Sequence, residues 1–291
     1  MDLILKDFGE HKMYLLPKDS GISKTLKKPG GYANREIEFM TIMREEVKPG
    51  FVAFDIGANL GFTALVMAQC VGPTGKVLAA EPVKTNFRVL KKNVSVNDYD
   101  GRIEAFRMAF SDKTGEEKFY ESNRSNLGGF NSKISHVKSY MVPVTTVDAF
   151  LAERDVVPDF YKMDVEGHEI QILTGMMETL RASKSAGILM EVHPTLYKKP
   201  RQMDKVLRDV FDTGFTPKYV VSAAVACPDL FKEKGYEPIR VYQTSGWERG
   251  VFVNVDPEDA IRFTCYPHKQ YSKKRGKYSQ KIVRSVYLEK K

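Results

Sequence analysis

The stretch FVAFDIGANLG, residues 51–61, narrows most what this chain can fold into. An apolar run of strand length ends on Asp55. Gly57, Asn59 and Gly61 then crowd one turn ahead of a second apolar stretch, GFTALVMAQC (61–70). The first run reads as a fully buried strand and the second as its crossover helix. The pattern then recurs along the chain. KVLAAE (76–81) is the next strand and KTNFRVLKKNV (84–94) the next helix, with Phe87, Leu90 and Val94 on one face. IEAFRMAF (103–110), DFYKMDV (159–165) and GILMEV (187–192) are further strands, and MDKVLRDVFDTG (203–214) is a helix closed by glycine. EKFYES and MVPVTTV (141–147) read as an inserted hairpin, while PKYVVSA and GVFVNV (250–255) complete the sheet. Continuous apolar strands alternating with helices predict an α/β fold, a mostly parallel sheet covered by helices on both faces.

Length and charge set the outer limits. A chain of 291 residues with 42% hydrophobic residues can bury a full core without staples. Cys70, Cys227 and Cys265 are odd in number and lack metal-site spacing, which predicts reduced thiols and a cytoplasmic protein. No leader-like apolar stretch opens the sequence and no run of membrane-spanning length occurs. The net charge of +8 is uneven: residues 262–291 hold ten Lys/Arg against one Glu, so the rest is one charge to the acidic side. We therefore divide the chain into an irregular N-terminal cap or substrate segment (1–48), a central α/β domain (49–256) and a basic tail (257–291).

Ligands of parallel sheets sit at the carboxyl ends of the strands. There Gly57 leaves room against the backbone and Gly61 opens the helix for close packing. Asp55 can orient a cationic group or a water on a ligand. The spacing G-x-x-x-G is not the dinucleotide-binding G-x-G-x-x-G, so a pyrophosphate is not the favoured guest. Glu81, at the end of the next strand, suits the two hydroxyls of a ribose. An adenosyl ligand without phosphates, such as S-adenosylmethionine, fits both features.

DIGANLG, Glu81–Pro82, KMDVEGHE (162–169) and MEVHP (190–194) together resemble the FkbM family of S-adenosylmethionine-dependent methyltransferases, from about residue 13 to about 215. The resemblance implies a class I methyltransferase fold, Rossmann-like in build, and O-methylation of a hydroxyl on a sugar, glycan or natural-product-like small molecule. By position it implies that Asp55, Gly57, Ala58, Asn59 and Gly61 line the methionine part of the cofactor and that Glu81 holds the ribose. Ala109 and Ser111, within AFSD, would lie at the adenine. It does not reach the basic tail.

The fourth and fifth strand ends carry the candidates for the transfer step. Asp164, Glu166 and His168 fall within five residues, and Asp164 is delivered to the site by the strand itself. It also counts among the residues facing the cofactor. Methyl transfer to an alcohol needs positioning and a route for the proton, which an acid or an imidazole can supply. His168 is a plausible base, although it could equally be a buried helix residue, and Glu166 a helix N-terminal charge. Glu191 and His193 share a strand face, so the carboxylate can orient the imidazole. Asp164 and Glu191 offer oxygen ligands for a divalent ion, but nothing in the sequence demands a metal.

Two other readings stay open. HKQYSKKRGKYSQKIVRSVYLEKK interleaves tyrosines with cations, which suits a nucleic-acid partner and a ribose 2′-O-methyltransferase acting on RNA. The chain could also be a cofactor-binding scaffold without transfer. The small-molecule reading predicts that the tail is separable from the chemistry.

Overall fold

The computed structural model describes residues 2–131, 137–197, 200–244, 246–272 and 276–291. Its centre is a nine-stranded sheet of β1 (Val52–Ile56), β2 (Lys76–Ala80), β3 (Ile103–Phe106), β4 (Phe160–Met163), β5 (Ala186–Glu191), β6 (Thr216–Ser222), β7 (Arg240–Thr244), β8 (Trp247–Phe252) and β9 (Val283–Lys290). The spatial order is β7-β8-β6-β9-β5-β4-β1-β2-β3. The pairs from β5 through β4, β1 and β2 to β3 are parallel. β9 runs antiparallel between β5 and β6, and β8 antiparallel between β6 and β7. Only β8 and β9 therefore run against the other strands, and the expected mostly parallel α/β sheet is present.

Alternation along the strands divides the core into two. Phe54 and Ile56 of β1 face one apolar layer and Ala53 the other. Helices α1 (Ile37–Glu46), α2 (Phe62–Val71) and α3 (Lys84–Ser95) cover the Ala53 side. Helices α4 (Glu169–Thr174), α5 (Pro200–Asp212) and α6 (Pro257–Cys265) cover the Phe54 side. The Phe54 ring lies 5.1 Å from Phe110 and 5.6 Å from Phe150, and truncating so buried a ring costs about 3–5 kcal/mol.

Three expectations need correction. Residues 1–48 are not irregular: Ile4–Asp7 pairs with Lys12–Leu15, and α1 buries Phe39, Met40, Ile42 and Met43, a helical spacing within IEFMTIMREE. The third strand breaks at Arg107–Met108, because Ala109–Phe110 pairs with the Lys138–Thr145 strand of the inserted hairpin instead. The basic tail is no appendage. Its α6 packs in the core, and β9 fills the middle of the sheet, with Leu288 opposite Ile188 and Val286 opposite Val220. The Tyr287 ring lies 6.0 Å from both Phe160 and Tyr219, and Gly187 makes room for it, since a Cβ there would meet the Tyr287 hydroxyl at 2.2 Å. Charge counting hid a strand, VRSVYLEK, whose residues 283–288 are mostly buried. Lys273, Lys274 and Arg275 lie outside the described residues.

Candidate active site

In the first turn, Gly57, Asn59 and Gly61 all take left-handed backbone angles (φ 86°, 52° and 94°). The N–H groups of Gly57 and Ala58 both donate to the Ala80 carbonyl, tying the turn to β2. A Cβ on Gly57 would lie 2.4 Å from the Asp164 carbonyl oxygen, and one on Gly61 2.7 Å from Leu90. What approaches this backbone is first of all the protein itself. The glycines let the ends of β1 and β4 and helices α2 and α3 close together. Asp55 is fully buried beneath the turn; Thr63 Oγ1 donates to it at 2.6 Å and Lys162 Nζ pairs with it at 3.0 Å. Lys162 also donates to the Gly57 carbonyl at 3.0 Å. The cation that Asp55 orients is thus the chain's own Lys162, which the sequence reading left out of the site.

Beyond the turn lies a cleft with about 590 Å³ of empty space, part of it open to solvent. Gly57, Asn59, Glu81, Val83, Ala109, Phe130, Asp164 and Glu166 are among its walls. Glu81 accepts from the backbone N–H of Asn59 (2.9 Å) and of Val83 (2.8 Å). Burial outweighs these bonds and pushes its pKa up to about 7. Ala58 instead lines an adjoining chamber. Ser111 is fully buried, with its hydroxyl 3.0 Å from His168 Nε2.

His168 therefore belongs with Ser111, Glu117 (3.8 Å) and the Phe130 ring, away from the groups gathered by His193. The reason is local. Glu166 and Gly167 are left-handed (φ 50° and 94°) and reverse the chain, so the two-residue spacing from Asp164 no longer keeps one face. Burial holds the His168 pKa below its ordinary value, with Glu117 working the other way.

Asp164, Glu166, Glu191 and His193 do come together. His193 Nε2 lies 3.2 Å from Glu191, 3.5 Å from Glu166 and 4.0 Å from Asp164. Its Nδ1 is 2.7 Å from Glu169, a fully buried acid that the sequence reading missed although it ends the quoted KMDVEGHE. Burial disfavours the imidazolium, but Glu169 and Glu191 more than offset this and hold the His193 pKa well above its ordinary value. Asp164 is raised by burial and by the neighbouring Glu191 charge, and Glu166 by burial to about 8. Glu191 is held well below the usual range: burial opposes its charge, but Arg284 and Lys281 (3.0 Å) outweigh that. Both cations come from the segment read as a separable tail. Asp164, Glu191 and His193 offer three metal-ligand atoms within 4.8 Å of one another. Glu191 is met by two cations and His193 by Glu169, while Asp164 keeps one oxygen without a hydrogen-bond partner.

The sequence model of the methyltransferase FkbM domain matches residues 55–217, more than half of the chain. The chain belongs to the FkbM methyltransferase family. It is an S-adenosylmethionine-dependent methyltransferase. The hexuronic acid methyltransferase AglP of Haloferax volcanii is 27% identical over 175 residues, covering 60% of this chain and 68% of that one. Similar solved structures include a SAM-dependent methyltransferase from Aquifex aeolicus (16% identity, TM-score 0.41, covering 79% of this chain and 95% of the other). Another is a SAM-dependent O-methyltransferase from Thermotoga maritima (14% identity, TM-score 0.45, covering 99% and 77%). Among the described residues no helix is long and apolar enough to cross a membrane.

The cleft fits the family's cofactor. Glu81 stands in it with lone pairs left for ribose hydroxyls, and Val83, Ala109 and Phe130 offer apolar surface for a base. Among the described residues, Asn59 Oδ1 and Asp164 Oδ1 are buried without a hydrogen-bond partner, acceptors available at the turn and at the β4 end.

Proposed function

We propose that this FkbM methyltransferase transfers its methyl group to a hydroxyl of a sugar or sugar-like acceptor. The observation that carries the reading is Asp164: it lines the cleft, one carboxylate oxygen is unpartnered, and its pKa is raised. A carboxylate of raised pKa is a better proton acceptor than an ordinary one. When bound, the cofactor supplies an electrophilic methyl on a sulfonium that leaves as a neutral thioether. Asp164 positions the acceptor hydroxyl and takes its proton as the oxygen lone pair forms the new C–O bond. His193, held charged between Glu169 and Glu191, steadies the ionised Asp164 across 4.0 Å. Glu81 keeps the nucleoside end in register.

A sugar acceptor is supported by the relative that methylates a hexuronic acid. Of the tail cations on which the RNA reading rests, Lys281 and Arg284 are spent instead on Glu191, and Lys290 on the carbonyls of Leu180 and Arg181. The test offers labelled S-adenosylmethionine with a panel of neutral sugars, hexuronic acids and short RNAs, and locates the label by mass spectrometry. A methyl ether on a sugar is the expected product. Label on RNA alone, or only on nitrogen or carbon, would sink the proposal.

A further inference from the structure

The chamber beside the cleft holds about 500 Å³ of empty space, partly open to solvent. It shares Gly57, Asn59, Asn126 and Asp164 with the cleft. Its charged lining is Arg35, Glu36, Lys162, Asp164 and Glu191. Lys162 is spent on Asp55 at 3.0 Å. Glu36 is held by Arg284 at 3.0 Å, Glu191 by Lys281 and Arg284, and Asp164 faces His193. Arg35 is what remains. It shares Glu36 with Arg284, touching that carboxylate through Nη2 at 3.3 Å. Its Nε is buried and has no hydrogen-bond partner among the described residues. The guanidinium carbon lies 5.9 Å from the Phe62 ring, which gives the group an aromatic neighbour.

We propose that this chamber is a carboxylate-binding site and that Arg35 is its donor. A guanidinium with spare N–H groups pairs with a carboxylate through two parallel hydrogen bonds, and a buried, unpartnered Nε–H is costly until such a partner arrives. The segment before β1 thus reaches over the first turn to complete a site that the family-matched residues 55–217 leave without this cation. Two sources can supply the anion: the amino-acid end of the cofactor, which would reach the chamber past the shared Gly57 if Glu81 held the ribose, or a carboxylate on the acceptor sugar. The second source rests on the function proposed above; the first does not.

Binding measured by calorimetry separates them. S-adenosylhomocysteine carries the carboxylate and 5′-methylthioadenosine does not; glucuronic acid carries one and glucose does not. If the cofactor is the source, Arg35→Ala weakens S-adenosylhomocysteine by about 10–100-fold and leaves methylthioadenosine unchanged. If the acceptor is the source, both nucleosides bind as before and the variant loses only glucuronic acid. Arg35→Lys, which keeps the charge without the fork, should retain part of the selectivity and guards against a folding defect in the alanine variant. The proposal is overturned if Arg35→Lys and Arg35→Ala bind all four as the parent does, or if carboxylate-bearing and carboxylate-free ligands weaken alike. Failure of every sugar to bind would count against the sugar reading and leave the nucleoside comparison intact.

Discussion

At one end of the cleft, Glu81 stands as a single carboxylate near Val83, Ala109 and Phe130. At the other end Asp164 shares its space with Glu166, Glu191 and His193, and His193 in turn is bound by Glu169. Burial dominates the first: the Glu81 carboxyl rises to about 7 although two backbone bonds, Asn86 and the more distant Lys162 charge all work the other way. The second is a balance, in which Lys281, Arg284 and His193 are set among Asp164, Glu166, Glu169 and Glu191. Under the proposed function the Glu81 end takes the nucleoside and the Asp164 end the transfer; the first is made mostly of residues close to one another in sequence, 57 to 130. The transfer end draws on both ends of the chain, with Glu36 and Glu191 bridged by Arg284. A binding surface can be built locally, but a cluster of buried charges needs partners from wherever the fold can deliver them.

The strongest way to break this contrast is to remove residues 280–291. That takes away Lys281, Arg284 and the strand between β5 and β6, so loss of cooperative unfolding is expected, with neither S-adenosylhomocysteine binding nor methyl transfer surviving. A truncated protein with the parent's melting profile and cofactor affinity would return the segment to the status of a separable tail. Asp164→Asn separates the two ends without unfolding them. Turnover on the true acceptor should fall about 10²–10⁴-fold while S-adenosylhomocysteine binds within a few fold, and near-parental turnover would move the proton acceptor elsewhere. The smallest effect belongs to the nucleoside end. Only the ionised Glu81 has no proton competing with ribose hydroxyls for the lone pairs that its existing bonds leave free. Affinity for S-adenosylhomocysteine should therefore strengthen as pH rises toward about 7 and level off above it. Glu81→Gln should bind about tenfold more weakly at pH 8 and lose that slope. The sign for stability is opposite. Folding raises this carboxyl above its ordinary 4.5, so its contribution to ligand-free stability declines as pH climbs from about 4.5 to about 7.

The same contrast explains what could be read in advance. Strand ends and the glycine turn are local features, and Gly57, Asn59, Glu81 and Ala109 do meet at one cleft. Glu191 and His193 lie at and just beyond the end of β5, and their shared face survives into the fold. His168 lines the same cleft, but the left-handed Glu166 and Gly167 turn it toward Ser111 and Phe130 rather than His193, and backbone sign at a glutamate is not visible in composition. Gly57 was read as space for a ligand, yet the Asp164 carbonyl occupies the position its side chain would take. Glu169 and Lys162 were passed over because a buried charge announces itself only through its partner. Arg284 stands 93 residues beyond Glu191, so no local pattern could join them. The β9 strand was obscured by the lysines around it, although IVRSVYL carries the apolar content of a sheet interior.

The place of β9 has a consequence for how the molecule is made. It is the last strand of the sheet to leave the ribosome, and it occupies the middle. Until it arrives, β5 and β6 each present an open edge, and Glu191 has neither Arg284 nor Lys281 to offset its charge. Domains usually gather structure from the N-terminal side as they emerge. Here the parallel half, with the glycine turn and Glu81, can assemble early, while the transfer end waits for a long-range pairing that is intrinsically slow. A nascent chain can thus pair its parallel strands before the site they serve is complete. Under the proposed function, methyl transfer waits until Arg284 has reached Glu191.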